Sequence, residues 1–133
     1  MKDKEIETKG QTYTFSPMGH TWIFDIDGTI VRHNGYRTRE GDRLLEGAAE
    51  FFEKLPKQDK VILLTSRTED KREATELFLK KHGIHYDYIL FGLPFGERIL
   101  VNDRKPSGLQ TAYAINTERD LFIQDHFVVD ERM

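Results

Sequence analysis

Hydrophobic residues along the chain are concentrated in short runs that polar segments separate. A short, continuous apolar run is typical of a strand buried on both faces. We predict four such strands from these runs, at residues 21–24, 61–64, 88–91 and 99–101. Residues 12–15 alternate between polar and apolar side chains, which predicts a short edge strand. Weaker patterns predict short strands at residues 111–115 and 127–129.

Two other segments have the spacing of amphipathic helices. In residues 44–55 the apolar side chains recur every three or four positions, and Pro56 ends the segment. A second helix is predicted to follow Thr68, a residue type that favours a helix N-cap, and to end before Gly83. The residues that we expect to face the core from this second helix are Ala74, Leu77 and Phe78.

Strands that alternate with helices predict an α/β fold with a mainly parallel sheet covered on both faces. In such sheets, ligands bind at the carboxyl ends of the strands. Polar side chains follow three of the predicted strands, and we expect them to lie on one rim. They are Asp25 and Asp27, Thr65 and Ser66, and Asn102 and Asp103.

Length and composition narrow the class of protein. We predict one domain over residues 1–133, since 133 residues suffice for one core of ordinary size. The absence of a long apolar run and of cysteine predicts a soluble cytoplasmic protein that does not bind membranes. The polar opening is not expected to be a secretory signal. A formal net charge of −3 makes nucleic acid an unlikely partner on charge grounds.

The acid pair in Asp25-Ile26-Asp27-Gly28-Thr29 follows an apolar strand directly. Side chains of an extended segment alternate, so both carboxylates would point the same way, roughly 6–7 Å apart. Two carboxylates this close are costly unless a cation accompanies them, and a divalent cation such as Mg²⁺ is the simplest candidate. Asp103 would complete such a site as a third acid. The alternative is a plain turn, because Asp, Gly and Thr are turn formers.

The pattern resembles the haloacid dehalogenase-like phosphohydrolases. Their motifs have counterparts here in the sequences DIDGTI, VILLTSR and RILVNDR, in the same order, so that the resemblance spans roughly residues 20–105. It implies a three-layer Rossmann-like fold. The first motif is highly specific, whereas the second is weak alone.

The resemblance also implies roles for individual residues. Asp25 would be the nucleophile that forms an aspartyl-phosphate, and Asp27 would protonate the leaving group and then activate water. Mg²⁺ would be held by Asp25, by the backbone carbonyl of Asp27 and by Asp103. Thr65, with Ser66 beside it, would bind the transferring phosphoryl group. Gly28 and Thr29 would support the site.

One departure from the family pattern concerns the cation. Leu93 stands where family members of this size often carry a lysine. Lys105 is our first candidate to replace it, followed by Arg98 and Arg104, although all three could be solvated surface charges. Asn102 stands where an acid is usual, and it could orient Asp103.

Arg67, next to the second motif, could reach substrate or pair with Glu69 or Asp70. The sequence alone leaves both alternatives open.

The segments in which the family inserts cap domains are short in this chain, so the resemblance implies a capless protein with an open site. We therefore expect a homo-oligomer, a dimer or tetramer, that closes the site over a small phosphorylated substrate. The tail of residues 121–133, which contains Phe122, Phe127, Val128 and Val129, could supply that interface or pack on its own domain.

The preferred function is a Mg²⁺-dependent phosphomonoesterase acting on a sugar phosphate of surface-glycan synthesis. One alternative is a phosphatase acting on a nucleic-acid 3′-phosphate or another macromolecule. The other is a non-catalytic phosphate-binding protein of the same fold.

Overall fold

The computed structural model describes residues 10–133, which form five strands and two α-helices. These elements are, in chain order, β1 (Thr12–Phe15), β2 (Thr21–Asp25), α1 (Ala48–Lys54), β3 (Lys60–Leu64), α2 (Arg72–Lys81), β4 (Tyr88–Leu90) and β5 (His126–Val129). Two short 3₁₀ turns, Gly35–Arg37 and Glu69–Lys71, precede α1 and α2. No helix in the described part of the chain has the length and apolar character needed to span a membrane.

Every pair of strands is parallel. β2, β3 and β4 form one sheet in that order, and β1 pairs with β5 in a second sheet of two strands. Asp25 at the end of β2 lies opposite Leu64, which lies opposite Leu90 of β4, so the three strands end together. The predicted α/β class with parallel sheets is confirmed, and it is compatible with a small Rossmann-like fold.

An aromatic cluster joins the two sheets. Phe127 of β5 meets the ring of Trp22 of β2 edge-on, with centroids 5.0 Å apart, and stacks on Phe15 of β1 at 5.6 Å. Phe24 stacks on Phe122 at 6.0 Å. Pairs of this kind contribute about 0.5–1.5 kcal/mol beyond the area that they bury. The C-terminal tail therefore packs on its own domain, one of the two roles predicted for it.

The first helix begins later than predicted. α1 starts at Ala48, and Gly47 just before it has φ +95°, a left-handed backbone that does not continue an α-helix. Leu44 pairs instead with Val31 in an isolated antiparallel bridge. The apolar spacing from residue 44 onwards thus combines a loop with two partly buried leucines, Leu44 and Leu45, and a shorter helix.

Of the residues predicted to face the core from the second helix, Phe78 packs against it, whereas Ala74 and Leu77 do not, and the predicted cap is wrong. Thr75 and Leu79 are the buried residues of α2, whereas Ala74 is exposed and the side chain of Leu77 is 67% exposed. Thr75 faces inward because its hydroxyl accepts a hydrogen bond from a buried arginine, described below. Thr68 precedes a 3₁₀ turn, and its side chain caps no backbone N–H there.

The strand predicted at residues 99–101 is not formed. Ile99 and Val101 are 84% and 87% exposed, and the segment pairs with no described strand. The apolar run is only three residues long, and Arg98 just before it is held by a side chain at the end of β2. Residues 111–115 form no strand either. Tyr113 packs edge-on against Tyr13 of β1 at 5.7 Å instead.

Candidate active site

The chain turns sharply after β2, and we call residues 25–31 the acid turn. The backbone carbonyl of Ile26 accepts hydrogen bonds from the N–H groups of Thr29, Ile30 and Val31, at 3.2, 2.9 and 3.1 Å. Ile26 and Ile30 are fully buried and anchor the turn to the core. Gly28 has φ +81°, a conformation that favours glycine. The acid pair is therefore held on a turn with few alternative conformations.

Asp120 fixes the acid turn from outside. Its backbone N–H donates to the carbonyl of Gly28 at 2.8 Å, and its side chain accepts from the N–H of His33 at 2.7 Å. Asp120 itself has φ +68°, which is uncommon for a residue other than glycine. No local pattern predicts this contact, since His33 and Asp120 are 87 positions apart.

Asp25 lies at the mouth of the site with one partner on each oxygen. Its Oδ1 accepts from Nη1 of Arg98 at 2.9 Å, and its Oδ2 accepts from the hydroxyl of Thr29 at 3.0 Å. The side chains of Asp25 and Arg98 are 37% and 36% exposed. Arg98, which we ranked behind Lys105, is thus the cation that contacts this acid.

Asp27 has a different environment, since its carboxylate is paired with Arg67. Nε of Arg67 donates to Oδ2 at 3.0 Å, and Nη2 donates to Oδ1 at 2.8 Å. The same guanidinium binds both oxygens of Asp42, at 2.8 and 3.0 Å. Arg67 therefore pairs with Asp27 and Asp42, and both predicted pairings, with Glu69 or Asp70, are wrong.

All five N–H donors of the Arg67 guanidinium are used. Four bind the two carboxylates, and the fifth binds the hydroxyl of Thr75 at 2.8 Å. One face of the guanidinium lies over the ring of Tyr36, 4.1 Å from its centroid. In this arrangement Arg67 has no donor left for a substrate, which argues against the predicted contact with substrate.

Arg67 and its two acids are largely buried. The side chains of Arg67, Asp42 and Asp27 are 2%, 9% and 19% exposed. Burial alone would lower the pKa of the Arg67 guanidinium, but the hydrogen bonds and charges of Asp27 and Asp42 outweigh it and raise that pKa above its ordinary value. Arg67 is therefore a permanent positive charge beneath Asp27.

The rim residues that follow β3 have different exposures. Thr65 is 1% exposed, and its hydroxyl oxygen accepts from the backbone N–H of Arg67 at 3.0 Å. Ser66 lines the open cleft, and its hydroxyl donates to the carbonyl of Pro94 at 3.2 Å. Of the two predicted phosphate-binding residues, Ser66 is the one that faces the cleft.

The third predicted cluster of polar side chains is not brought to the acid pair. The amide of Asn102 donates to the hydroxyl of Thr111 at 3.0 Å, and Asp103 is exposed and contacts these residues through its backbone carbonyl. Asp103 and Lys105 line the cleft, whereas Arg104 does not. The displacement follows from the missing strand at residues 99–101, which was expected to carry Asp103 to the rim.

The side chains of Asp25 and Asp27 are paired with arginines rather than grouped with Asp103 around a metal site. Within residues 10–133, no group of three or more His, Cys, Asp or Glu side chains could hold a metal. Both side-chain oxygens of Asp27 are bound by Arg67, and Arg98 takes one oxygen of Asp25. The predicted three-acid site of Asp25, Asp27 and Asp103 is therefore not assembled here.

The acid pair opens into a cleft of about 2020 Å³. β2 lines it, as do residues 95–103 and 109–117. Its lining includes both basic and aromatic side chains. The basic ones are Arg37, Arg67, Lys71, Arg98, Lys105 and Arg119, and the aromatic ones include Phe15, Trp22, Tyr36, Phe95 and Tyr113.

Two solved structures are similar to part of this chain. The chain matches no known protein family and no curated protein. A solved structure of the Pnkp1/Rnl/Hen1 complex is 32% identical over 62% of this chain and 31% of that chain, with a TM-score of 0.49. A structure of the Pnkp1/Rnl/Hen1 RNA repair complex is 31% identical over 68% and 30%, with a TM-score of 0.48. The chain thus spans less than a third of either protein, and TM-scores below 0.5 establish no shared fold.

Proposed function

We propose that this protein is a phosphomonoesterase that acts through an aspartyl-phosphate on Asp25. The observation that supports the proposal best is the different setting of the two acids. Asp25 is half-exposed at the end of β2 and faces the cleft, whereas Asp27 is fixed beside it by a buried arginine. An attacking group must be reachable, and an acid–base group must be held in place.

In the proposed reaction, a carboxylate oxygen of Asp25 attacks the phosphorus while the ester bond to the leaving oxygen breaks. Asp27 gives its proton to that oxygen. Water then attacks the phosphorus of the aspartyl-phosphate, Asp27 takes a proton from the water, and the acyl–phosphate bond breaks. The products are the alcohol and inorganic phosphate, with Asp25 and Asp27 restored.

Positive charge must offset the phosphate and the acid pair, and the cleft lining supplies it through Arg98 and Lys105. Mg²⁺ remains the cofactor that we propose from the sequence resemblance. Its ligands would include Asp25 and the backbone carbonyl of Asp27, and the assay with and without Mg²⁺ tests this dependence.

The substrate that we propose first is a small phosphorylated metabolite such as a sugar phosphate. A second candidate is a nucleic-acid 3′-phosphate, which the dimensions and lining of the cleft favour. A pocket for a small ligand usually measures about 300–1,000 Å³, and this cleft is larger. Basic side chains interspersed with aromatic ones are typical of grooves that bind single strands.

One assay tests the function and separates the candidates. The wild-type protein and Asp25→Asn would be compared on sugar phosphates and on short DNA and RNA strands with a 3′-phosphate, with and without Mg²⁺. We expect phosphate release by the wild type and none by the variant. Full activity of Asp25→Asn would refute the assignment of the nucleophile. Phosphate binding by the wild type without turnover of any ester would instead favour the non-catalytic alternative.

We also propose that a second copy of the chain covers the open cleft, as a dimer or tetramer. Exposed apolar side chains of the C-terminal segment, Leu121, Val128 and Val129, are 52%, 49% and 46% exposed and are available for such a contact. Sedimentation equilibrium measures the oligomeric state directly, and a monomer at micromolar concentration would exclude this proposal.

A further inference from the structure

Arg67 connects four parts of the site that are distant in sequence. It lies just after β3, and it binds Asp27 of the acid turn, Asp42 at the end of the loop of residues 33–42, and Thr75 of α2. Tyr36 from the same loop covers its face. The arginine is the shared partner of all these side chains, so they occupy one arrangement together.

The hydrogen bonds of Arg67 restrict Asp27 strongly. Two parallel N–H donors on the two oxygens fix both the position and the plane of the carboxylate. The guanidinium itself is held by Asp42, by Thr75 and by the ring of Tyr36, so it does not move to follow Asp27. A lysine in its place would offer three donors on a flexible stem and could not reproduce this geometry.

We infer that Arg67 is a positioning residue for Asp27, holding this carboxylate toward the leaving group and tying it to the loop of residues 33–42 through Asp42 and Tyr36. The inference rests on the proposed function, since it assigns Asp27 the proton transfer to the leaving group. Arg67 contacts no reacting atom in this scheme. Its effect on the rate passes through Asp27 alone.

This role predicts a dependence on the leaving group that loss of folding would not produce. An alkyl phosphate needs a proton on its leaving oxygen, whereas p-nitrophenyl phosphate, with its acidic phenol, hardly needs one. A misplaced acid–base group therefore slows formation of the aspartyl-phosphate far more from the first ester than from the second, while hydrolysis of the aspartyl-phosphate is common to both. Partial unfolding would lower the rates on both esters by the same factor.

The central variant is Arg67→Lys, assayed with an alkyl phosphate and with p-nitrophenyl phosphate. We expect kcat/KM, which reports the step that breaks the ester bond and not the later hydrolysis of the aspartyl-phosphate, to fall about 100-fold on the alkyl ester, in line with the cost of a misplaced group, and less than about 5-fold on the aryl ester. Asp27→Asn should show the same difference between the two esters, with larger losses of rate.

Arg72→Lys is the matched control. Arg72 also binds two carboxylates, Glu69 and Glu76, and lies 4.5 Å from the ring centroid of Phe91, but it does not line the cleft. Both rates should stay within about 2-fold of the wild type in this variant, as expected for an exposed ion pair outside the site.

Asp42→Asn gives a second test if circular dichroism shows that Arg67→Lys does not fold. This change removes one charge that holds the guanidinium while leaving Asp27 intact, so the same dependence on the leaving group should appear at about 10-fold rather than about 100-fold. Equal losses on both esters in the folded variants, or no loss on the alkyl ester, would overturn the inference. If the wild type hydrolyses neither ester, the proposed function itself fails, and that result is distinct from the other two.

Discussion

Replacement of Asp59 by alanine should destabilise the strand that presents the acid pair. Asp59 has a side chain that is 2% exposed, and its two oxygens accept hydrogen bonds at the start of β2. One comes from Nε1 of Trp22 at 2.9 Å and the other from the backbone N–H of His20 at 3.1 Å. A hydrogen bond to a charged group contributes about 1.5–3 kcal/mol, so the two together amount to about 3–6 kcal/mol. Water entering the vacated space would accept hydrogen bonds from the donors that Asp59 leaves, so we expect the free energy of unfolding to fall by about 3 kcal/mol.

Urea unfolding measures this loss directly. Trp22 is the single tryptophan of the chain and lies in the aromatic cluster, so its fluorescence reports on the core. Because the variant also changes the surroundings of Trp22, far-UV circular dichroism should accompany the fluorescence. With an m-value of about 1–3 kcal/mol/M, the midpoint should fall by roughly 1–3 M.

Asp87→Ala is the matched control for Asp59→Ala. Asp87 is 37% exposed and accepts one hydrogen bond at the start of β3, from the N–H of Val61 at 2.8 Å. One hydrogen bond at an exposed site should contribute about 1 kcal/mol. Equal effects of the two variants would refute the view that burial and the number of bonds determine the loss.

Two further predictions concern α2 and the mouth of the site. Leu79→Ala should lower the free energy of unfolding by about 2–5 kcal/mol, because Leu79 is fully buried. Leu77 is 67% exposed, so Leu77→Ala should change it by less than about 0.5 kcal/mol. Similar losses for both variants in urea unfolding would contradict the observed orientation of α2. Arg98→Gln should tighten Mg²⁺ binding in calorimetric titrations by about 1.4- to 5-fold, since an exposed ion pair worth about 0.2–1 kcal/mol no longer occupies Asp25. Arg104→Gln is the control, because it removes the same charge from a residue that does not line the cleft. If Arg98→Gln bound Mg²⁺ more weakly than this control, Arg98 and Mg²⁺ would not be competing for Asp25.

The features that the sequence predicted correctly depend on local patterns. The strand ending at Asp25 is set by a continuous apolar run, and its parallel pairing with β3 follows from the helix between them. Glycine at position 28 indicated a turn, and the structure places it at φ +81°. Neighbouring residues alone carry these signals, so no knowledge of the rest of the chain is needed to read them.

The features that could not be predicted depend on contacts between distant segments. Arg67 has acids two and three positions after it, but its acidic partners lie 25 and 40 positions before it, and only the fold brings them to it. Thr75 has no apolar character, yet it is buried because it serves the same guanidinium. The apolar run at residues 99–101 has ordinary strand composition, and the pattern cannot show that it finds no partner.

The two acids differ in how exposed their ion pairs with arginine are, and the sequence alone does not show this difference. The contact of Asp25 with Arg98 is half-exposed, and an exposed pair contributes about 0.2–1 kcal/mol, so it can be exchanged for a substrate at little cost. The contact of Asp27 with Arg67 is buried, and removing one partner of a buried pair costs about 3–5 kcal/mol. Replacing the arginine partner of Asp27 by another ligand is therefore disfavoured by several kcal/mol relative to the same replacement at Asp25. In the proposed reaction, Asp25 is therefore the acid that can leave its cation to attack, while Asp27 stays where Arg67 holds it.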